Sequence, residues 1–117
     1  MNWAHVHLII NHIPVIGIGL LILLFIGAIV RKNKGLITVA LAFIILISLA
    51  TIPVYLTGEP AEEVVEDMPG ISEELIEEHE EQAEIAFILV EVAGGLALIT
   101  LIARRYSCPV ARRAKRV

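Results

Sequence analysis

Three long stretches of this sequence are apolar and almost free of charge, and this pattern limits the fold more than any other feature. The stretches cover residues 12–30, 35–56 and 85–103, and Glu91 is the only acidic or basic residue within them. Each contains the roughly 17–25 residues that a helix needs to cross a hydrocarbon core about 30 Å thick. We therefore predict a single all-α membrane domain, an integral membrane helical bundle with transmembrane helices at residues 8–30, 35–57 and 83–104.

The charged residues are separated along the chain by sign. All 13 acidic residues lie between Glu59 and Glu91, and all 9 basic residues lie in 31–34 and 104–116. The positive-inside rule places both basic clusters in the cytoplasm, which requires an even number of crossings between them. Three spans meet this condition, so we expect the N-terminus outside and the basic tail of residues 105–117 inside. The expected location is a bacterial inner membrane.

Residues 58–82 form an acidic segment that this topology places on the outer side. A proline with acidic neighbours suits a first helical turn, so a short amphipathic helix is predicted over residues 60–68. The Pro-Gly pair at 69–70 predicts a turn, and Ser72 is a suitable N-cap for the next helix. Nothing interrupts that helix before the Cys-Pro pair at 108–109, which we expect to end it. The third membrane helix is therefore extended outward as an acidic stalk.

Four histidines share this outer face, and polar groups at such depths in membrane proteins tend to be functional. We predict that His12 and His79 bind a haem b as axial ligands from two facing helices, with His7 and His79 as the alternative pair. Copper or zinc at the same histidines remains an open alternative. Asn11 is a further candidate cofactor-binding residue. His5, in contrast, is interpreted as a polar cap of the first helix.

Pro14 leaves two interpretations of the first helix open. If the helix starts before Pro14, the missing backbone donor disrupts the turn near His12 and leaves carbonyl groups without partners. If the helix starts at Pro14, the three N-terminal histidines lie on an outer loop or a short preceding helix. Both interpretations keep His12 at the outer boundary of the membrane.

Glu91 lies inside the third apolar stretch, where an unpaired carboxylate is costly. It is expected to be protonated, or to meet a partner such as Thr51 or a residue of another subunit. Glu84 lies seven residues earlier on the same helical face, which leaves a proton or cation path as an alternative function. Interhelical hydrogen bonding by a neutral Glu91 is the favoured interpretation.

His7 together with His12-Ile13-Pro14 resembles the His-x4-His-x-Pro opening of a family of small predicted bacterial membrane proteins of unknown function. Thr57-Gly58 and His79 stand where those proteins carry a Thr-Gly pair and a later histidine. The resemblance implies haem or metal binding by the histidines, and it implies a four-helix unit. Because this chain shows three clear spans, a partner is expected to complete the bundle.

These features predict a small membrane subunit that binds haem b or a metal at the outer face and takes part in electron transfer. Other membrane subunits or further copies of the chain are the expected partners within the lipid bilayer, and the chain is not expected to be an enzyme on its own. A structural accessory subunit and a conductor using Glu84 and Glu91 are the alternatives. The basic tail is interpreted as a topology anchor near anionic lipid rather than a nucleic-acid site.

Overall fold

The computed structural model describes the backbone of residues 1–115 and the side chains up to Ser107. This part of the chain is helical apart from short connections, and three of its helices are long and apolar enough to cross a membrane. The predicted all-α bundle with three spans, an outer acidic helix and an extended last helix is confirmed. The helices are α1 (Trp3–Val30), α2 (Lys34–Leu56), α3 (Gly58–Val65) and α4 (Glu73–Lys115).

Helix α1 runs through Pro14, which is buried, so the helix starts well before the proline. The three N-terminal histidines therefore lie on α1 itself. Asn2 caps the helix, because its side-chain oxygen accepts a hydrogen bond from the backbone N–H of His5 at 3.1 Å. With 28 residues, α1 is about 42 Å long, so its first turns extend beyond a hydrocarbon core of about 30 Å.

The outer connection follows the sequence prediction closely. Helix α3 covers much of the predicted amphipathic segment, and Gly70 adopts a positive φ of 89° in the turn that follows. This left-handed conformation favours glycine, which has no Cβ to clash with the backbone. Ser72 then caps α4, since its hydroxyl oxygen accepts from the backbone N–H of Leu75 at 3.2 Å.

The far end of α4 differs from the prediction. The Cys-Pro pair at 108–109 was expected to end the helix and leave residues 105–117 as a tail, but the helix continues to Lys115. That expectation was wrong because one proline removes a single backbone donor, and the alanine, arginine and lysine residues that follow favour a helix. Residues 116–117 lie outside the described part of the chain. The 43 residues of α4 span about 64 Å.

Helix α2 lies at the centre of the bundle and packs against both α1 and α4, which share at most a marginal contact with each other. The buried core consists of Leu21, Ala40 and Ile47. On α4, the side that faces α2 follows a spacing of three and four residues, which is typical of helices packed side by side. This inner face contains Phe87, Val90, Gly94, Ala97 and Leu101.

The two ends of the bundle carry opposite charge. At one end, the Arg104 guanidinium donates to the Lys34 carbonyl at 3.2 Å, so the two basic clusters meet there. At the other end, α3 packs against α1 and places its glutamates beside the acidic first turns of α4. The structure therefore confirms that three crossings bring the basic clusters together and leave the acidic segment and the histidines opposite them.

Candidate functional site

His7 lies where α1 meets the junction between α2 and α3. Its Nδ1 is 3.0 Å from the Thr57 Oγ1, and the Thr57 hydroxyl donates to the Val54 carbonyl at 2.9 Å. A hydroxyl has one hydrogen, so the Thr57 oxygen is left to accept the hydrogen bond from the His7 Nδ1–H. In the tautomer with its hydrogen on Nδ1, His7 donates to Thr57, and the Nε2 carries the lone pair with which an imidazole binds a metal.

Thr57 occupies this position because it ends one helix and begins the next. Its backbone has φ −88° and ψ −5°, and the same residue is the C-cap of α2 and the N-cap of α3. Gly58 completes the surface against His7, since a Cβ at Gly58 would be 3.9 Å from the His7 Cε1. The Thr57-Gly58 pair therefore forms the wall of the His7 pocket and fixes the orientation of the imidazole.

His79 comes to this site from α4. It lies three residues after Ile76 and four before Ala83, both half-buried, so it belongs to the side of α4 that faces the bundle. The imidazoles of His7 and His79 are close enough to interact electrostatically. His7 is half-buried and His79 is exposed. Two histidines separated by most of the chain are thus brought to the same end of the bundle, within electrostatic range of each other.

The other predicted site residues lie elsewhere on α1. His12 is exposed, and its Nδ1 contacts the Leu8 carbonyl of the preceding turn. Five residues on a helix correspond to a rotation of about 140°, so His12 points away from the side that carries His7. Asn11 is half-buried beside it. His79 therefore lies within electrostatic range of His7, which was its alternative partner, and the pairing of His12 with His79 stays a prediction.

His5 also lies apart from this pair. It is exposed, and its Nδ1 is 2.7 Å from the Asn2 side-chain oxygen. Asn2 thereby contacts both the backbone and the ring of His5, so the two residues form a polar cap at the start of α1. This arrangement agrees with the interpretation of His5 as a capping residue.

The ligand set of the site is small. In the part of the chain that the structure describes, no group of three or more His, Cys, Asp or Glu side chains is arranged to hold a metal ion. A structural zinc site takes about four protein ligands, whereas a haem iron receives four nitrogens from its porphyrin and needs only axial ligands. Two imidazoles on different helices match the number of axial ligands that a haem iron takes, and they are fewer than the ligands of a structural zinc site.

The surroundings of the site are acidic. Glu62 on α3 lies close to Glu80 on α4. Hydrogen bonding with the Glu80 carboxyl raises the pKa of Glu62 above its ordinary value, and desolvation and the negative charges of Glu80, Glu66 and Glu59 add to this effect. Helices α3 and α4 thus approach each other at this end despite their like charges.

A second polar cluster lies deeper in the bundle, between α2 and α4. The Glu91 carboxyl is 2.8 Å from the Thr51 Oγ1, so the predicted contact between these residues is confirmed. Ser48 also contacts this carboxyl, at 3.0 Å, and was not anticipated. Its spacing of three residues from Thr51 was the available signal, because two hydroxyls at i and i+3 lie on one helical face. Glu84 is exposed, two turns nearer the acidic end.

Comparison with protein-family models, curated proteins and solved structures finds no match to this chain. The resemblance of the histidine and Thr-Gly pattern to small bacterial membrane proteins of unknown function therefore stays a prediction.

Proposed function

We propose that this chain is a small membrane subunit that binds haem b between His7 and His79 and takes part in electron transfer. The observation that carries the proposal is the hydrogen bond between the His7 Nδ1 and Thr57. Ligating histidines generally donate their other ring N–H to an oxygen acceptor, which sets the tautomer and orients the ring. His7 has this arrangement, and His79 is the second imidazole beside it.

The same residues fit a redox role at one membrane surface. A haem iron with two axial imidazoles supplies one-electron transfer. The basic end of the bundle is assigned to the cytoplasm by the positive-inside rule, so the histidine end faces outward. In this proposal the protein resides in a bacterial inner membrane, and electrons pass at its outer surface. Copper or zinc at the same two histidines is the variant of the proposal that the experiment must separate from haem.

The test is an absorption spectrum of the purified protein in detergent after haem supplementation, recorded oxidised and reduced. The wild type is expected to show the sharp reduced bands of a low-spin haem with two imidazole ligands. His7→Ala and His79→Ala should each lose these bands, because each removes one axial ligand. His12→Ala is the matched control, since it removes an imidazole from the same helix and should leave the spectrum unchanged.

Three results would contradict the proposal in different ways. A wild-type protein with neither a haem spectrum nor bound metal by elemental analysis would exclude the function. Stoichiometric copper or zinc without haem would replace the cofactor. Loss of the bands in His12→Ala, with retention in His7→Ala, would show that His12 is the ligand and that His7 is bonded to Thr57 only for packing.

Membership of a larger complex is supported by the open arrangement of the bundle. Helices α1 and α4 both pack on α2 and share at most a marginal contact with each other, which leaves one side of the bundle open between them. A fourth helix from another subunit or from a second copy would close this side. Extraction in mild detergent followed by native electrophoresis and mass measurement tests this. A monomer of 12.8 kDa as the only species would exclude the subunit role.

A further inference from the structure

A closed group of polar side chains connects α2 and α4 in the middle of the apolar region. Ser48 and Thr51 on α2 are buried, and Glu91 on α4 is half-buried. Measured along the helices, Glu91 lies about 20 Å from Arg104, and Ser48 lies about 20 Å from Lys34. The two helices therefore place these side chains at the same depth, within the roughly 30 Å of hydrocarbon that a bilayer provides.

The contacts in this group need more hydrogens than the hydroxyls can supply. Ser48 Oγ lies 3.0 Å from Glu91 Oε2, and Thr51 Oγ1 lies 2.8 Å from Glu91 Oε1. Thr51 Oγ1 also lies 2.7 Å from the Ser48 carbonyl oxygen, which can only accept. If each of the three oxygen–oxygen contacts holds its own hydrogen, the two hydroxyls provide two of them and the carboxyl of Glu91 provides the third.

In the part of the chain that the structure describes, the helices that face Glu91 place no positive charge beside it. Helix α1 carries no Lys or Arg, and α2 carries none after Lys34. The titratable groups nearest along the facing helices are Tyr55, which stacks on Phe87, and Glu84, which is exposed two turns toward the acidic end. A carboxylate at this depth without a cationic partner is strongly unfavourable, whereas the neutral acid is tolerated when it is hydrogen-bonded.

The backbone is shaped to allow this contact. Gly94 lies one turn after Glu91, and a Cβ at that position would be only 2.5 Å from the Ser48 Cβ. Glycine therefore lets α4 approach α2 closely enough for Ser48 to reach the carboxyl. Small residues at such crossings, with polar side chains beside them, are the usual basis of helix association in membranes.

We propose that Glu91 is a proton-binding site inside the membrane, and that the bound proton joins α4 to α2. In the protonated state, Glu91 Oε1–H donates to the Thr51 hydroxyl, Thr51 donates to the Ser48 carbonyl, and Ser48 donates to Glu91 Oε2. Every donor and acceptor of the three side chains that faces the contact is then paired. Loss of the proton leaves one of the three contacts without a hydrogen and places a charge in hydrocarbon, so it separates the two helices at this level.

Infrared spectroscopy of the protein in liposomes at neutral pH tests the proposal directly. The difference spectrum between the wild type and Glu91→Gln is expected to contain the carbonyl band of a hydrogen-bonded carboxylic acid, which shifts in D2O. Glutamine is a suitable replacement, because its amide can donate to Thr51 and its carbonyl can accept from Ser48. Glu84→Gln is the control, since it removes an exposed carboxyl from the same helix and should leave this band in place.

A difference spectrum that contains carboxylate bands, with no carboxylic-acid band, would overturn the proposal. If Glu91→Gln does not fold, Ser48→Ala provides the second measurement. It removes the hydrogen bond to Oε2 and leaves room for α4, so the acid band should move to higher frequency, as expected for a carbonyl group that has lost a donor. An unchanged spectrum in a folded Ser48→Ala protein would also count against the proposed arrangement.

Discussion

Two threonines, Thr51 within α2 and Thr57 at its C-cap, contact a titratable side chain from a neighbouring helix in the same way, yet the two sites differ in their remaining polar contacts. Thr57 donates to the Val54 carbonyl and receives the His7 imidazole, and Thr51 lies against the Ser48 carbonyl and receives Glu91. In both cases the hydroxyl is committed to the backbone three residues earlier. Its oxygen therefore accepts a hydrogen from the partner helix.

The difference lies in the second polar atom of the titratable group. The second oxygen of Glu91 is occupied by Ser48, so this site is closed and serves helix association. The His7 ring instead has Thr57 and the Val54 backbone as its polar contacts and lies within electrostatic range of a second imidazole, that of His79. A threonine that contacts a titratable side chain of another helix thus forms a packing contact at Thr51, within the apolar region. At Thr57, on the edge of that region, the same kind of contact forms a candidate ligand site. The following substitutions test whether this distinction holds.

The largest effect is expected from Gly94→Ala, which disturbs the helix packing beside the contacts of Glu91. The added Cβ would meet the Ser48 side chain, so α4 must move away from α2 and the Glu91 contacts lengthen. Overpacking of this kind costs about 1–3 kcal/mol. Gly95→Ala is the matched control, because nothing lies within 4 Å of the new methyl group. Unfolding in mixed detergent micelles measures both, and equal stabilities would show that the helices do not meet at Gly94.

Thr57→Val should affect cofactor binding more than stability. It keeps the shape of the side chain but removes the acceptor of the His7 Nδ1–H. Loss of such a partner lowers affinity for the bound metal or haem about 10- to 100-fold. Thr51→Val, which alters the closed site, should leave the affinity unchanged. Spectroscopic titration with haem compares the two variants. Equal affinities for haem would show that the sites at Thr57 and Thr51 do not differ in ligand binding.

Thr51→Val should in turn lower stability by about 0.6 kcal/mol, the average for hydrogen bonds between membrane helices, and by no more than about 1.7 kcal/mol. Thr100→Val is its control. Thr100 is exposed and donates to the Leu96 carbonyl of its own helix at 2.8 Å, so it shares the local bond without the contact across helices. If both variants lose the same free energy of unfolding in micelles, the Thr51 hydroxyl stabilises only its own helix. Its contact with Glu91 then contributes nothing to stability.

The smallest effect is expected from Glu62, which lies among the acidic residues near the His7 site. Because the folded protein raises the pKa of Glu62, chiefly through Glu80, folding is favoured while this carboxyl is protonated. Stability from this group therefore declines as the pH rises from the ordinary carboxyl range through the raised value. Glu62→Gln should remove that decline and make the protein slightly more stable at neutral pH, less so at high salt.

The control for this variant is Glu63→Gln, which changes the neighbouring exposed carboxyl on the same helix. Melting temperatures recorded across the acidic pH range compare the two. Parallel curves for Glu62→Gln and the wild type would show that the contact between Glu62 and Glu80 does not contribute to the pH dependence of folding. A decline of stability with rising pH that disappears only in Glu62→Gln would show that this contact contributes.

The sequence predicted those parts of the fold that depend on local chemistry. Apolar stretches of membrane length gave the three spans, a Pro-Gly pair gave the outer turn, and Ser72 gave the start of α4. The Cys-Pro pair at 108–109 was a weaker signal. A proline opposes a helix only through one turn, and the residues after it allowed the helix to resume.

The candidate site was predicted less completely. The sequence indicated that His79 and the N-terminal histidines share one end of the bundle, and that Glu91 needs a partner such as Thr51. It did not show which histidine meets His79, nor that Thr57 orients His7. These features depend on how far each helix is rotated about its own axis, and that rotation is set by contacts with other helices.

What the sequence alone determined is the number of crossings, the separation of charge between the two ends, and the presence of polar groups where lipid makes them costly. Hydrophobic length and charge act locally, so they can be read from the order of residues. Only the tertiary structure decided that α3 packs on α1, that Thr57 accepts from His7 and that Ser48 completes the contact with Glu91. Each of these contacts joins separate helices, and their relative rotation is fixed only when side chains pack.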